Sequence, residues 1–177
     1  MVQTRSQTRA AQENRPTYWK IIGDNFGHFP YHIGINSLEE NGETFDARPI
    51  CGAGGLFFTD IEHIFAYLQY GNRLCEVLIP EDACVVKVEG KYKADKIEIV
   101  KIVKLTPTVI RQLIEKGANV HVGDNIALRW YMKYGNLAAV KVLVEGGANV
   151  HIWDDHLVRI AHFNGHSRVA AYLRRCP

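Results

Sequence analysis

Apolar and polar positions fall into three regimes along the chain. Residues 1–16 contain no Leu, Ile, Phe, Tyr or Trp. Such a stretch cannot bury enough apolar surface to offset its ordering entropy, so it reads as a disordered tail. From Thr17 to Lys104 short apolar runs alternate with Gly and Pro. Residues 56–58, 74–79, 84–88 and 96–103 read as strands, the second stopped by Pro80 and the third by Gly90. In the last of these Ile97, Ile99 and Lys101 alternate with Glu98, Val100 and Ile102, a pattern expected of a strand buried on both faces. Ile61, Ile64, Phe65 and Leu68 recur at i, i+3, i+4 and i+7, one face of a helix. Thr59 and Glu62 have capping-box spacing ahead of that helix, and Gly71 is its expected stop. The predicted module is α+β, a small mixed sheet with one main helix.

The third regime repeats itself. Gly117-Ala118-Asn119-Val120-His121 returns 30 residues later as Gly147-Ala148-Asn149-Val150-His151. The match continues with Asp124 and Asp154, Arg129 and Arg159, Gly135 and Gly165, and Leu143 and Leu173. A period in this range signals stacked supersecondary units. Each unit reads as a turn, a helix, a tight turn and a second helix. Asp124 or Asn125 is placed to cap the first helix, and Gly146-Gly147 closes the second. A preceding half-unit opens on Thr106-Pro107, an N-cap followed by proline at the first helical position. The expected division is a tail over 1–16, the α+β module over 17–104, and about two and a half repeats over 105–177.

The Gly-Ala-Asn-Val turns, Tyr134-Gly135-Asn136, Asn164-Gly165-His166 and the Val140-x-x-Leu143-Val144 core resemble the ankyrin repeat. Here the unit is 30 residues rather than about 33. Ala127-Leu128-Arg129-Trp130 stands where that family starts its first helix with Thr-Pro-Leu-His. The shortened unit is similar to those of ankyrin-repeat proteins of giant DNA viruses of amoebae, mimivirus- and marseillevirus-like. Tyr18-Trp19-Lys20-Ile21-Ile22, Tyr31-His32-Ile33-Gly34-Ile35-Asn36, Gly54-Gly55-Leu56-Phe57-Phe58-Thr59 and Lys91-Tyr92-Lys93-Ala94-Asp95-Lys96-Ile97 resemble a module found ahead of such arrays. The implied architecture is the α+β module fused to a short all-α ankyrin-type solenoid. Too few repeats are present to stand alone, so the module is expected to cap the stack.

The resemblance implies a non-catalytic module that binds a host or viral protein through turn tips and first-helix faces. Asn125, Tyr131, Tyr134, Trp153, Asp155 and His156 are the expected contact residues, with Trp153 at a turn tip of the residue type enriched at interface hot spots.

Composition narrows the alternatives. The 177 residues are 47% hydrophobic and 23% charged, ordinary globular values, with a formal net charge of +2. Arg5, Arg9 and Arg15 against Glu13 place that surplus in the tail. With Arg174 and Arg175 these arginines form the runner-up reading, contact with nucleic acid or chromatin. No apolar run approaches a membrane span and no signal peptide is seen, so an intracellular site is expected, in host cytoplasm or viral factory, with nucleus or virion as alternatives. The four cysteines include no Cys-x-x-Cys pair and read as reduced, buried, inert thiols.

Tyr31-His32-x-Gly34 followed by Gly55-Leu56-Phe57-Phe58 resembles the order of motifs in ADP-ribosyltransferases. That resemblance implies His32 on a ribose, Tyr67 or Tyr70 on a nicotinamide ring and Glu98 as the acid. Phe58 stands where the family expects Tyr, and the module is expected to be inactive. The glycines at 52–55 precede a strand rather than a helix, so a plain flexible loop is expected there and not a phosphate cradle. No cofactor and no metal is expected; His162 and His166 straddle the turn at Gly165 and lack further ligands.

Overall fold

The computed structural model describes residues 15–23, 29–52, 54–151 and 156–176. They group into two compact units. Of the described residues, unit 1 takes 15–20, 29–52, 54–60 and 75–102; unit 2 takes 21–23, 61–74, 103–151 and 156–176.

The strands are β1 (Tyr18–Ile22), β2 (Gly34–Ser37), β3 (Leu56–Phe58), β4 (Arg73–Leu78), β5 (Val85–Val88), β6 (Lys91–Ala94) and β7 (Lys96–Lys104). They form two sheets, one ordered β1-β4-β7-β2 and one ordered β3-β6-β5. The pairings β2–β7, β3–β6 and β5–β6 are antiparallel. The expected single mixed sheet is therefore corrected to two antiparallel sheets. Tight turns cause this: Gly90, at φ 68°, closes β5 onto β6 with a left-handed residue that glycine tolerates. Strand β7 is not buried on both faces either. Ile97 and Ile99 are buried, Val100 is exposed, and the alternation is that of a half-covered strand.

In unit 1, Thr59 does not cap a helix. Its backbone exchanges two 2.8 Å hydrogen bonds with Trp19, and its hydroxyl donates to the Gly90 carbonyl at 3.3 Å. The pairing with Trp19 holds Thr59 in extended backbone and consumes the capping box.

Unit 2 holds the helices. Its first is a 3-10 segment, Ile64–Tyr70, with Ile64, Phe65 and Leu68 buried as the periodicity predicts. It ends at Gly71, where a Cβ would run into the Ile22 carbonyl, so only glycine fits. Helices α1 (Pro107–Glu115), α2 (Val122–Lys133), α3 (Leu137–Glu145), α4 (His156–Phe163) and α5 (Ser167–Leu173) follow. The Thr106 hydroxyl caps α1 by accepting from Val109 N–H at 3.3 Å, as Thr-Pro predicts.

These helices pack in two rows. The 3-10 segment, α2 and α4 form one, and α1, α3 and α5 the other, with α2 on α3 and α4 on α5 across the rows. An all-helical ankyrin solenoid confined to the C-terminal half is not what forms, which corrects the expected fold class. The half-unit α1 lacks a first helix of its own in sequence. The first row is begun instead by residues 64–70, from the strand-rich half of the chain. The physical reason is that a helix face left without a neighbour must be covered, and a short helix does not stand alone in water.

Candidate functional site: an aromatic edge on the helical unit

The chemistry of this site begins with the turns that align the first row. Asn119 donates its N–H to the Glu62 carbonyl at 3.1 Å, just before the 3-10 segment. One repeat later, Asn149 donates its N–H to Asn125 Oδ1 at 3.0 Å, at the start of α2. In both turns the Asn side chain accepts from the N–H two residues on, His121 or His151, at 2.9 Å. With the N-terminal ends in register, the C-terminal ends of the row share one side of the unit.

That side is aromatic. Tyr67 and Tyr70 lie in the last turn of the 3-10 segment with ring centroids 6.2 Å apart. On α2, Ala127, Leu128, Tyr131 and Met132 are buried, while Trp130 is half-buried and Tyr134, the C-cap four residues on, is exposed. Their rings are 4.8 Å apart, and Lys133 Nζ lies 5.6 Å from the Tyr134 centroid. Tyr134 is 57% exposed and Phe163, the last residue of α4, is 91% exposed. A phenylalanine this bare forgoes the stabilisation of burial, roughly 2 kcal/mol.

The residues expected from sequence distribute unevenly. Asn125 is 4% exposed and Tyr131 is buried, its hydroxyl pKa raised by burial to about 12. Both are spent inside the stack. Tyr134 and His156 are exposed. Trp153 and Asp155 lie outside the described residues, as do Arg5 and Arg9. Arg15 pairs with Glu98 at 3.0 Å, and Arg174 and Arg175 are exposed.

The transferase-like set is not assembled within either unit. His32 and Glu98 belong to unit 1, Tyr67 and Tyr70 to unit 2. His32 is exposed at the turn ahead of β2, whose shape is held by the buried Asn36: its amide donates to the His32 and Gly34 carbonyls at 2.8 and 2.9 Å. Glu98 is engaged by Arg15. Among the described residues no group of His, Cys, Asp and Glu is arranged to hold a metal. The His166 ring instead donates from Nε2 to the Lys133 carbonyl at 2.9 Å, since a carbonyl only accepts. The expectation of buried thiols holds for Cys75 but not for Cys51 and Cys84, which are exposed and lie outside the strands.

Phe163 escaped the sequence reading. The signal was present in the 30-residue offset, which sets Phe163 against Lys133. An apolar residue at a position its repeat partner fills with lysine points outward.

No protein-family model matches the chain. No solved structure matches it. Among curated proteins it is 33% identical over 133 residues to ankyrin repeat protein R868 of Acanthamoeba polyphaga mimivirus, covering 71% of this chain. It is 29% identical over 140 residues, 72% of the chain, to ankyrin repeat protein R229 of the same virus. It spans only 65% and 44% of the length of those two relatives. A third relative, the uncharacterized protein R869, is 31% identical over 132 residues, 70% of this chain and 94% of its own length. No helix among the described residues is long and apolar enough to cross a membrane. The chain is thus similar to proteins of this giant virus of amoebae, two of which are named ankyrin repeat proteins.

Proposed function

We propose that this protein is a non-catalytic interaction module that binds a host or viral protein through the aromatic edge of its helical unit, inside the infected cell. The supporting observation is the exposure of Tyr134 and Phe163 at the C-terminal ends of α2 and α4, with the Trp130 ring against Tyr134. Aromatic side chains supply large contact area at low conformational cost and dominate interface energetics. The names of the relatives R868 and R229 agree with a repeat protein whose work is recognition.

The test is capture from nuclease-treated amoebal lysate with the full chain, the double variant Phe163→Ser/Tyr134→Ser, and the double variant Arg174→Ser/Arg175→Ser. A discrete protein kept by the arginine variant and lost with the aromatic one is the expected result. Retention by the aromatic variant would sink the reading. Bound material that depends on nucleic acid and on the arginines would transfer the function to phosphate contact.

A further inference from the structure

We propose that unit 1 carries a binding site for a small-molecule phosphate group, built from Lys20, Lys91 and Lys93 around Phe57. Lys93 occupies the central strand of the three-stranded sheet, directly opposite Phe57 in register. It is 0% exposed, and its Nζ has no hydrogen-bond partner among the described residues. Its Nζ lies 6.0 Å from the Phe45 ring centroid. A buried amino group without a hydrogen-bond partner is costly, and native structures rarely leave such a group without a use.

Two further ammonium groups converge on the same phenylalanine. Lys91, two residues away on the same face of β6, sets its Nζ 4.4 Å from the Phe57 centroid. Lys20 donates to the Phe57 carbonyl at 2.7 Å and lies 4.3 Å from the Tyr31 centroid. Burial lowers the Lys20 pKa to about 8; the charge of Lys91 acts in the same direction, while Cys75 opposes it. Asp46 feels the charge of Lys93, but its oxygens and Glu43 accept hydrogen bonds from other groups. Both Asp46 oxygens accept from Arg48 at 2.7–3.1 Å, and Glu43 accepts from Asn41 at 2.7 Å.

One acceptor of Lys91 is the exposed Cys51 Sγ, at 2.8 Å. A thiol is a weak acceptor, and it holds the place at the solvent side of the cluster that an oxyanion would fill. The glycines at 54–55 close the other side: a Cβ at Gly55 would stand 2.7 Å from Lys93 Cδ. Three compact ammonium donors without a guanidinium suit a multiply charged tetrahedral anion better than a planar carboxylate. The glycine loop thus contributes clearance for the lysine stem, not amide donors for the anion.

The experiment compares the full chain with Lys93→Met and Lys91→Met at constant ionic strength. Thermal melts and phosphorus NMR line widths are followed against orthophosphate, pyrophosphate and adenosine diphosphate, with acetate and chloride as controls. The expected result has two parts. Without ligand, Lys93→Met melts higher than the parent, because the unpaired ammonium is gone. With pyrophosphate the parent gains stability saturably, while either variant binds about tenfold more weakly or worse. A stronger response to the nucleotide than to pyrophosphate assigns the phosphate to a nucleotide; equal responses assign it to the free anion. No saturable response in the parent, or equal responses in parent and variants, overturns the proposal. Should Lys93→Met fail to fold, the parent titration and Lys91→Met still decide it.

Discussion

Asn125 Oδ1 accepts the backbone N–H of Asn149 at 3.0 Å, joining the first helix of one repeat to the turn of the next. Asn125 sits with Gly123 and Asp124 in three successive left-handed residues, φ 54–56°, ahead of the regular part of α2. Asparagine is among the few residues that tolerate that conformation. The side chain is thereby aimed along the stack instead of capping its own helix.

Asn125→Ala should destabilise the protein by about 2 kcal/mol, combining a lost acceptor for the part-buried bond from Asn149 with strain at a left-handed position. Asn125→Gly removes the acceptor but not the backbone tolerance and should cost about 1 kcal/mol. Urea unfolding of both separates the two contributions. A glycine variant as stable as the parent would show that the bond contributes nothing.

Gly135 and Gly165 are repeat partners with left-handed φ of 69° and 78°. A Cβ at Gly135 would stand 2.7 Å from His166 Cε1, while Gly165 has open space. Gly165→Ala should therefore cost about 1 kcal/mol, and Gly135→Ala about 2–4 kcal/mol. Adding His166→Ala to Gly135→Ala should recover part of the difference, measured as a double-mutant cycle in thermal melts.

Residues 105–177 alone lack the 3-10 segment that begins the first row, so that fragment should show no cooperative melt. In the full chain, Phe65→Ala should cost about 3–5 kcal/mol, because Phe65 is wholly buried in unit 2. A sharp two-state transition of the fragment by circular dichroism would refute the role assigned to residues 64–70.

Lys20 titrates near pH 8 in the fold against 10.5 when unperturbed. Between these values the unfolded chain binds more protons, so the Lys20 contribution makes stability rise with pH from about 8 towards 10.5. Below pH 8 the ammonium is charged in both states and its burial cost is fully present. The gain is at most about 3 kcal/mol. Above pH 10 the buried Tyr131, held to about 12, acts in the opposite sense, so the clean window is pH 8–10. Chemical denaturation across that window should slope upward for the parent and flatten in Lys20→Met.

Much of this molecule was legible in local pattern. The 30-residue repeat, the Thr106 cap, the apolar face of residues 64–68 and four of the strands follow from spacing and turn chemistry, because each is decided by neighbours within a few residues. Tertiary structure decided what depends on partners far along the chain. Thr59 left its capping box because Trp19 offered its backbone two hydrogen bonds. Residues 64–70 became the first layer of the helical rows because α1 had no preceding helix to cover it. Asn125 turned from surface contact to internal link because the N–H of Asn149 needed an acceptor. The lysines of the proposed site are scattered over residues 20 to 93, and only the pairing of β6 with β3 sets Lys93 opposite Phe57. Periodicity records which face a residue takes, but the identity of whatever lies across that face is a property of the folded chain.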